Sequence, residues 1–440
     1  MKSADTSSAA ATGSRRVRIF HRSTVLRMSA VTAAAASLVL VAACGGGEDE
    51  PSSGETSTAA AADVLGPLAK ATGEPVKIGV ISDGRAAHGD LSVQFDVADA
   101  TAKYLNDHLS GIGGRPIEIV TCETGGDPAK GGDCGNQMVK EGVIAVAIGE
   151  TTALDDAWTP LHDAKIPVML YGGGGKRQLE DAQSTFMLTD AVFASVTLPI
   201  QLAEEKGAKK VTSVVIDVPA AISLLETSAT PEYKRLGIEN NLVRIPPGTP
   251  DMTPQMRQAT KGDPGIIYVL GNDPFCIAAF NGLRAVGFKG DITSIAQCVT
   301  DATREAVPGD FLEGMTVSAS APLGTDNPSS RLYNAVVDAY GSGDIDTSTV
   351  TGMTMFITLS GLQAATADIS GDITPATVTA AIKAMPEKEL PGTGGMKFRC
   401  NGKAFTNTPA VCVRGGLVTT LDGKGQPAEY KTLGNTPIKD

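Results

Sequence analysis

The sequence predicts a doubly wound α/β protein: two Rossmann-like lobes joined by a hinge with several crossovers. Three observations lead there. From residue 76 to about 316, short β-rich runs alternate with helical stretches of 10–15 residues, the pattern of βαβ units and a parallel sheet covered on both faces. The rhythm runs through twice, over 76–190 and again over 191–316. After 316 helices come first and hairpin signals last, so the chain returns to lobes already built instead of making a third.

In order, residues 76–82 (Val-Lys-Ile-Gly-Val-Ile-Ser) are a strand following Pro75. Leu91, Phe95, Ala98, Ala102, Leu105 and Leu109 recur at steps of four and three, the stripe of an amphipathic helix. Residues 116–121 alternate as a strand, and 127–139 form a helix capped by Asp127 with Pro128 at its first position. The apolar run 143–149 is a buried strand, 154–164 a helix, and 166–171 and 185–188 the last strands of the first series. Asp190 then caps a helix to about Lys206, before the strand 211–216. Helices near 224–236, 253–260 and 274–286 alternate with strands 242–245, 265–270 and 291–296. Residues 315–320 are a strand, and 331–340, 349–367 and 374–385 are helices. The uncharged stretch 347–367 is too rich in Thr, Ser and Gln to span a membrane, and reads as a buried helix. Asn401-Gly402, Gly415-Gly416 and Asp422-Gly423 mark hairpins. The expected first lobe is 76–190 plus about 321–385, and the second 191–316 plus about 390–440.

Residues 1–43 read as an export signal. Five arginines from Arg15 to Arg27 precede an uncharged run from Met28 to Ala43, apolar from Ala33 to Val41. That run is shorter than the roughly 20 apolar residues a membrane span needs. Val41-Ala42-Ala43-Cys44 resembles a bacterial lipobox, which makes Cys44 the expected lipidation site and the cell membrane's extracytoplasmic face the expected location. Residues 44–75, opening on three glycines and rich in Ser, Thr and Ala, are expected to be a flexible tether. The whole chain carries 37 Lys+Arg against 49 Asp+Glu; without the signal the balance is 31 against 48, about −17. A body this acidic repels phosphate backbones, so nucleic acid is excluded as a partner.

Seven cysteines leave six once Cys44 is set aside. In an oxidising compartment an even set reads as disulfides, and six allow 15 pairings. Their placement favours sequential local pairs. Cys122 ends a strand and Cys134 lies in the helix after it. Cys276 opens a helix after one strand and Cys298 ends the next; Cys400 and Cys412 lie on successive runs of the terminal hairpin region.

Catalytic and metal motifs fail when checked. His21, His88, His108 and His162 are scattered without metal spacing, and no GxSxG elbow occurs. Gly111-Ile112-Gly113-Gly114 runs into Pro116, and Gly172-Gly173-Gly174-Gly175-Lys176 lacks a phosphate loop's first Gly and its closing Ser or Thr. No catalytic residue, metal or cofactor is therefore expected. Polar residues and glycines gather instead where strands end: Ser82-Asp83-Gly84, Glu150-Thr151-Thr152, Gly172-Gly173-Gly174, Asp217, Gly271-Asn272-Asp273 and Gln297-Cys298. In open α/β sheets ligands bind beyond the carboxyl ends of strands, so these six sites point to a shared cleft.

On these residues the chain resembles the type 1 periplasmic binding proteins, in the leucine/isoleucine/valine-binding branch of ABC-transporter substrate-binding lipoproteins. The likeness covers about 76–430 and lies in local phrases: Val76-Lys77-Ile78-Gly79-Val80, Ile166-Pro167-Val168, Leu283-Arg284-Ala285-Val286-Gly287-Phe288 and Phe311-Leu312-Glu313-Gly314-Met315. The resemblance implies two lobes closing on a small ligand that is handed to a membrane permease. It places a carboxylate-holding hydroxyl at Thr151 or Thr152, and backbone donors at Gly172, Gly173 and Gly174. It sets Ala221 where the family has a Tyr and Gln297 where it has the acid that meets a ligand ammonium. Asp217 or Asp273 would have to replace that charge; otherwise branched-chain amino acids should bind poorly and solutes without a free ammonium better. The expected role is thus solute delivery to an ABC permease by a lipid-anchored monomer, ahead of a ligand sensor for a membrane receptor and of an enzyme.

Overall fold

The computed structural model describes residues 64–440 apart from 88, 325 and 326. The signal, Cys44 and most of the tether lie outside the described residues. Lobe 1 is built on β1 (Val76–Ser82), β2 (Ile117–Glu123), β3 (Ala145–Ile148), β4 (Val168–Leu170) and β5 (Thr185–Met187). Their order is β2-β1-β3-β4-β5, every neighbouring pair parallel.

Side chains of period two divide this sheet's faces. Ile78, Val80, Ala145, Ala147 and Met169 pack with the helices Val93–His108, Pro328–Tyr340 and Val350–Thr366. Ile81, Val146, Ile148, Val168 and Leu170 pack on the other side with Met138, Trp158 and Leu161, from the helices Pro128–Glu141 and Leu154–Asp163. Asp127 caps the first of these helices, accepting from the Ala129 N–H at 2.8 Å. Trp158 is a core residue whose indole N–H donates to Thr185 Oγ1 at 2.8 Å. The helix Val350–Thr366 is buried along nearly its whole length. No helix among the described residues is long and apolar enough to cross a membrane.

Lobe 2 holds β6 (Lys210–Ile216), β7 (Glu239–Ile245), β8 (Ile266–Leu270), β9 (Ile292–Ser294), β10 (Thr316–Ala319), β11 (Gly416–Leu421) and β12 (Pro427–Leu433). The sheet order is β12-β11-β10-β9-β8-β6-β7. Its first five strands in sequence pair in parallel, and the terminal hairpin adds antiparallel to β10. The helix expected near 224–236 starts earlier, as Pro219–Leu224, and continues through a π-helical turn, Leu225–Ala229, into Thr230–Leu236.

Two expected boundaries are corrected. The tether does not reach residue 75: Leu65 packs on the first core, and the Ala69 and Ala71 N–H groups donate to Asp107 O and Asn106 O at 2.8 and 2.7 Å. Residues from about 390 do not all join lobe 2 either. Leu390, Met396, Phe398, Val411 and Val413 lie in the first lobe's core. Met187 N–H donates to Ala410 O and Cys412 N–H to Met187 O, both at 2.8 Å. This segment covers β5, which would otherwise be an open sheet edge. The chain passes between lobes at about 188–193, 319–321 and 413–416, and its tail returns to lobe 1, where the Arg399 guanidinium donates to Ile438 O at 3.1 Å.

The six cysteines pair as Cys122–Cys134, Cys276–Cys298 and Cys400–Cys412, with Cα separations of 5.5, 5.3 and 4.4 Å, within the range a disulfide spans.

Candidate functional site

Between the lobes lies a cleft of about 910 Å³, at the upper end of the roughly 300–1,000 Å³ usual for small-molecule sites. Lobe 1 lines it with the carboxyl ends of β1, β3 and β4: Asp83, then Gly149 to Thr152, then Tyr171 to Gly174. Lobe 2 contributes Ala296 and Gln297 after β9 and Ser318 to Ser320 at the end of β10. Two interlobe passages, Thr189 to Ala191 and Gly415 to Leu417, form its back.

Asp83 organises the first wall. It is fully buried. The Thr124 and Thr151 hydroxyls donate to its Oδ1, the latter at 2.6 Å, and the Gly126 N–H donates to the same atom at 3.1 Å. Its Oδ2 accepts from the Thr152 N–H at 2.9 Å and the Thr152 hydroxyl at 3.0 Å. Burial opposes ionisation, but the bonds from Thr124, Thr151 and Thr152 together outweigh it and hold the carboxyl below its ordinary value. Behind this wall Gln94 ties three elements together. Its Oε1 accepts from Ser82 Oγ at 2.6 Å and the Glu150 N–H at 3.1 Å, and its Nε2 donates to Thr351 O at 3.3 Å.

Gly172 to Gly174 follow β4, and among the described residues none of their N–H groups has a protein partner. Gly173 has φ +84° with open space where a Cβ would stand, whereas a Cβ on Gly174 would strike Met187 Cε at 2.3 Å. The glycines thus bring bare backbone donors to the cleft, as their position after a strand suggested. The Tyr171 hydroxyl crosses to the end of β10 and donates to Ser320 O.

Thr151, Thr152, Gly172, Gly173, Gly174 and Gln297 come together in this cleft; Asp217, Asn272 and Asp273 do not line it. Asp217 accepts from Arg244 Nη2 at 2.8 Å and Nε at 3.2 Å. Asn272 caps the helix Asp273–Ala285 through the Phe275 N–H. Asp273 accepts from the Thr300 and Thr303 hydroxyls at 2.8 and 2.7 Å. The charge wanting at Gln297 is present elsewhere, on Asp83, Glu150 and Asp190. All three follow strands or open a passage, and that position was the signal available in the sequence.

Asp190 sits in the first passage, 8% exposed. Burial pushes its carboxyl up to about 6, against bonds from the Val192 N–H and the Thr197 hydroxyl. A carboxyl raised in the native state costs nothing below the unfolded value near 4; the cost grows as pH rises toward 6 and is complete above it. Asp190→Asn keeps an acceptor for Val192 and is expected to stabilise the chain by up to about 3 kcal/mol at pH 8, and little at pH 4. Urea unfolding of both chains at the two pH values checks this.

The sequence model of the periplasmic binding protein family matches residues 75–416. The chain belongs to the periplasmic binding protein family. A search of curated proteins returned no match. This periplasmic binding protein superposes on a putative branched-chain amino acid ABC transporter protein from Rhodospirillum rubrum with a TM-score of 0.63 at 13% identity, covering 82% of this chain and 100% of that one. A branched-chain amino acid ABC transporter protein from Thermus thermophilus with bound valine gives 0.56 at 16% identity, covering 83% and 98%. A solute-binding protein of an ABC transporter from Rhodopseudomonas palustris HaA2, in complex with p-hydroxybenzoic acid, gives 0.55 at 20% identity, covering 83% and 96%. These likenesses show that the two-lobed architecture is shared with those structures.

Proposed function

We propose that this periplasmic binding protein is the extracytoplasmic solute receptor of an ABC importer, closing its lobes over a small polar solute and presenting it to a membrane permease. The observation that carries the reading is the cleft itself. Strand ends of both lobes meet across about 910 Å³ beside the interlobe passages, so a small rotation at the passages brings both walls onto one solute. Thr151, Thr152, Gly172, Gly173, Gly174 and Gln297 are the candidate contacts. Solved relatives in complex with isoleucine, valine or 4-hydroxybenzoate support a small solute.

A solute held this way at about 100 times its dissociation constant is expected to add about 2.7 kcal/mol to stability and to reduce the radius of gyration in solution scattering. Stabilisation without compaction would count against closure.

The same reading includes an anchor at Cys44 that keeps a monomeric body near its permease. One acyl chain binds a bilayer only marginally, whereas two or more hold. Cys44→Ser is expected to move the protein from the membrane fraction to the soluble one, or to leave the signal uncleaved. A mature chain that begins elsewhere than residue 44 and carries no lipid mass would refute the anchor.

A further inference from the structure

We infer that the solute is an elongated acyl compound, an acid or amide head joined to an apolar arm, and that the arm occupies a second cavity beside the main cleft. The inference rests on the solute-receptor reading and narrows its ligand class.

The second cavity measures about 340 Å³. Ala296, Ser318, Ala319, Ser320 and Val350 line both it and the main cleft, so the two adjoin along the end of β10. Like the cleft, it lies between the lobes. Val350 opens the helix Val350–Thr366 of lobe 1, whereas Val317, Leu421 and Tyr430 come from β10, β11 and β12 of lobe 2. A solute reaching from one cavity into the other is therefore gripped by both lobes at both ends.

The wall of the second cavity offers surface and not hydrogen bonds. Val299, Val317, Leu323, Val350 and Leu421 are its apolar part. The hydroxyls beside them are committed within the protein: Tyr430 donates to Leu323 O at 2.9 Å, Ser348 to Asp346 Oδ1 at 2.6 Å and Thr419 to Thr420 O at 3.3 Å. Arg304 also lines it, with Nη2 donating to Asp301 Oδ1 at 2.9 Å and Nη1 to Val299 O at 3.0 Å; its methylene stem extends the apolar wall. Val350 stands at the junction 37% exposed, and covering it with an apolar arm is favourable. The head is set by the main cleft, where the bare N–H groups of Gly172 to Gly174 call for an acceptor oxygen and the Gln297 amide complements an acid or an amide.

Calorimetric titration of the full-length chain in mild detergent tests this with two series. One is benzamide, 3-phenylpropionamide and 5-phenylvaleramide; the other is benzoate, 3-phenylpropionate and 5-phenylvalerate. The titrations are repeated on Ser348→Trp and Gln426→Trp, at exposed positions that line the second cavity and not the main cleft. Each ring fills cavity space, and loss of probe to micelles is common to every chain. A methylene that enters the cavity is worth about fourfold, so in at least one series the longest member is expected to bind at least about thirtyfold tighter than the shortest. In the plugged chains the longest member is expected to weaken about tenfold or more and the shortest by less than about twofold. Loss of the long member's advantage in one or both plugged chains supports the inference. An advantage that survives in both, or long members no tighter than short ones, overturns it and leaves the solute-receptor reading standing. No binding by any probe also overturns it, and where no solute is retained from cells either, the solute-receptor reading falls with it.

Discussion

Replacing Asp83 by alanine is expected to destabilise the protein by about 3–5 kcal/mol, the largest effect of any single side chain in the cleft. The carboxylate is the acceptor for three hydroxyls and two backbone N–H groups. The hydroxyls can turn to other acceptors. The Gly126 N–H also has Thr124 Oγ1 as an acceptor at 3.2 Å, so the Thr152 N–H is the backbone donor that loses most, and a donor left without a partner costs about 1–3 kcal/mol. Asp83→Asn retains one good acceptor oxygen and should lose less. The pH dependence has a definite sign. The native carboxyl lies below its ordinary value, so its contribution is present above pH ~4 and disappears as pH falls through the lowered native value. Urea unfolding near pH 7 and at successively lower pH below 4 therefore separates the two chains widely at the first and progressively less as the pH falls. A loss below about 1 kcal/mol at pH 7 would mean that the network relaxes around the missing carboxylate.

Reduction of the three disulfides is expected to have the larger total effect. Their sequence separations are 12, 22 and 12 residues, and on the chain-entropy model loops of this size each contribute about 3 kcal/mol by restricting the unfolded chain. The 22-residue loop should contribute about half a kcal/mol more than the others. Cys122–Cys134 joins the end of β2 to the helix Pro128–Glu141, and Cys400–Cys412 closes the segment covering β5. Cys276–Cys298 adjoins Gln297 in the cleft, so the Cys276→Ala, Cys298→Ala pair should disturb solute affinity as well as stability. Unfolding with and without dithiothreitol, with non-reducing peptide mapping of the pairs, checks both statements. Identical transitions in the two conditions, or crossed pairs in the map, would contradict them.

Much of the fold is legible from local pattern because parallel strands buried on both faces must be apolar throughout and must be separated by helices. Residues 76–82 and 211–216 stand out for that reason, and Asp127-Pro128 marks a helix start without tertiary information. What local pattern does not carry is strand order. Asp217 and Asn272 follow strands as faithfully as Thr151 does, but they end β6 and β8, whereas the cleft faces β9 and β10 next to the passages. The same gap hides the destination of residues 390–413, which is decided by the need to cover β5. Asp83 was visible as a strand-end acid; its grip on Thr124, Thr151 and Thr152 depends on β2, β1 and β3 lying side by side.

The most direct test of the central claim, that the interlobe cleft holds a solute, is native mass spectrometry of the protein purified gently from cells. The measurement compares the unaltered chain with Ala191→Trp, which places a bulky ring at an exposed position of the cleft lining. The unaltered chain is expected to carry one small molecule per protein that leaves on unfolding, and the Trp variant to fold with the same stability and carry none. The same molecule retained at the same occupancy by Ala191→Trp would contradict the claim and move the binding site out of the cleft.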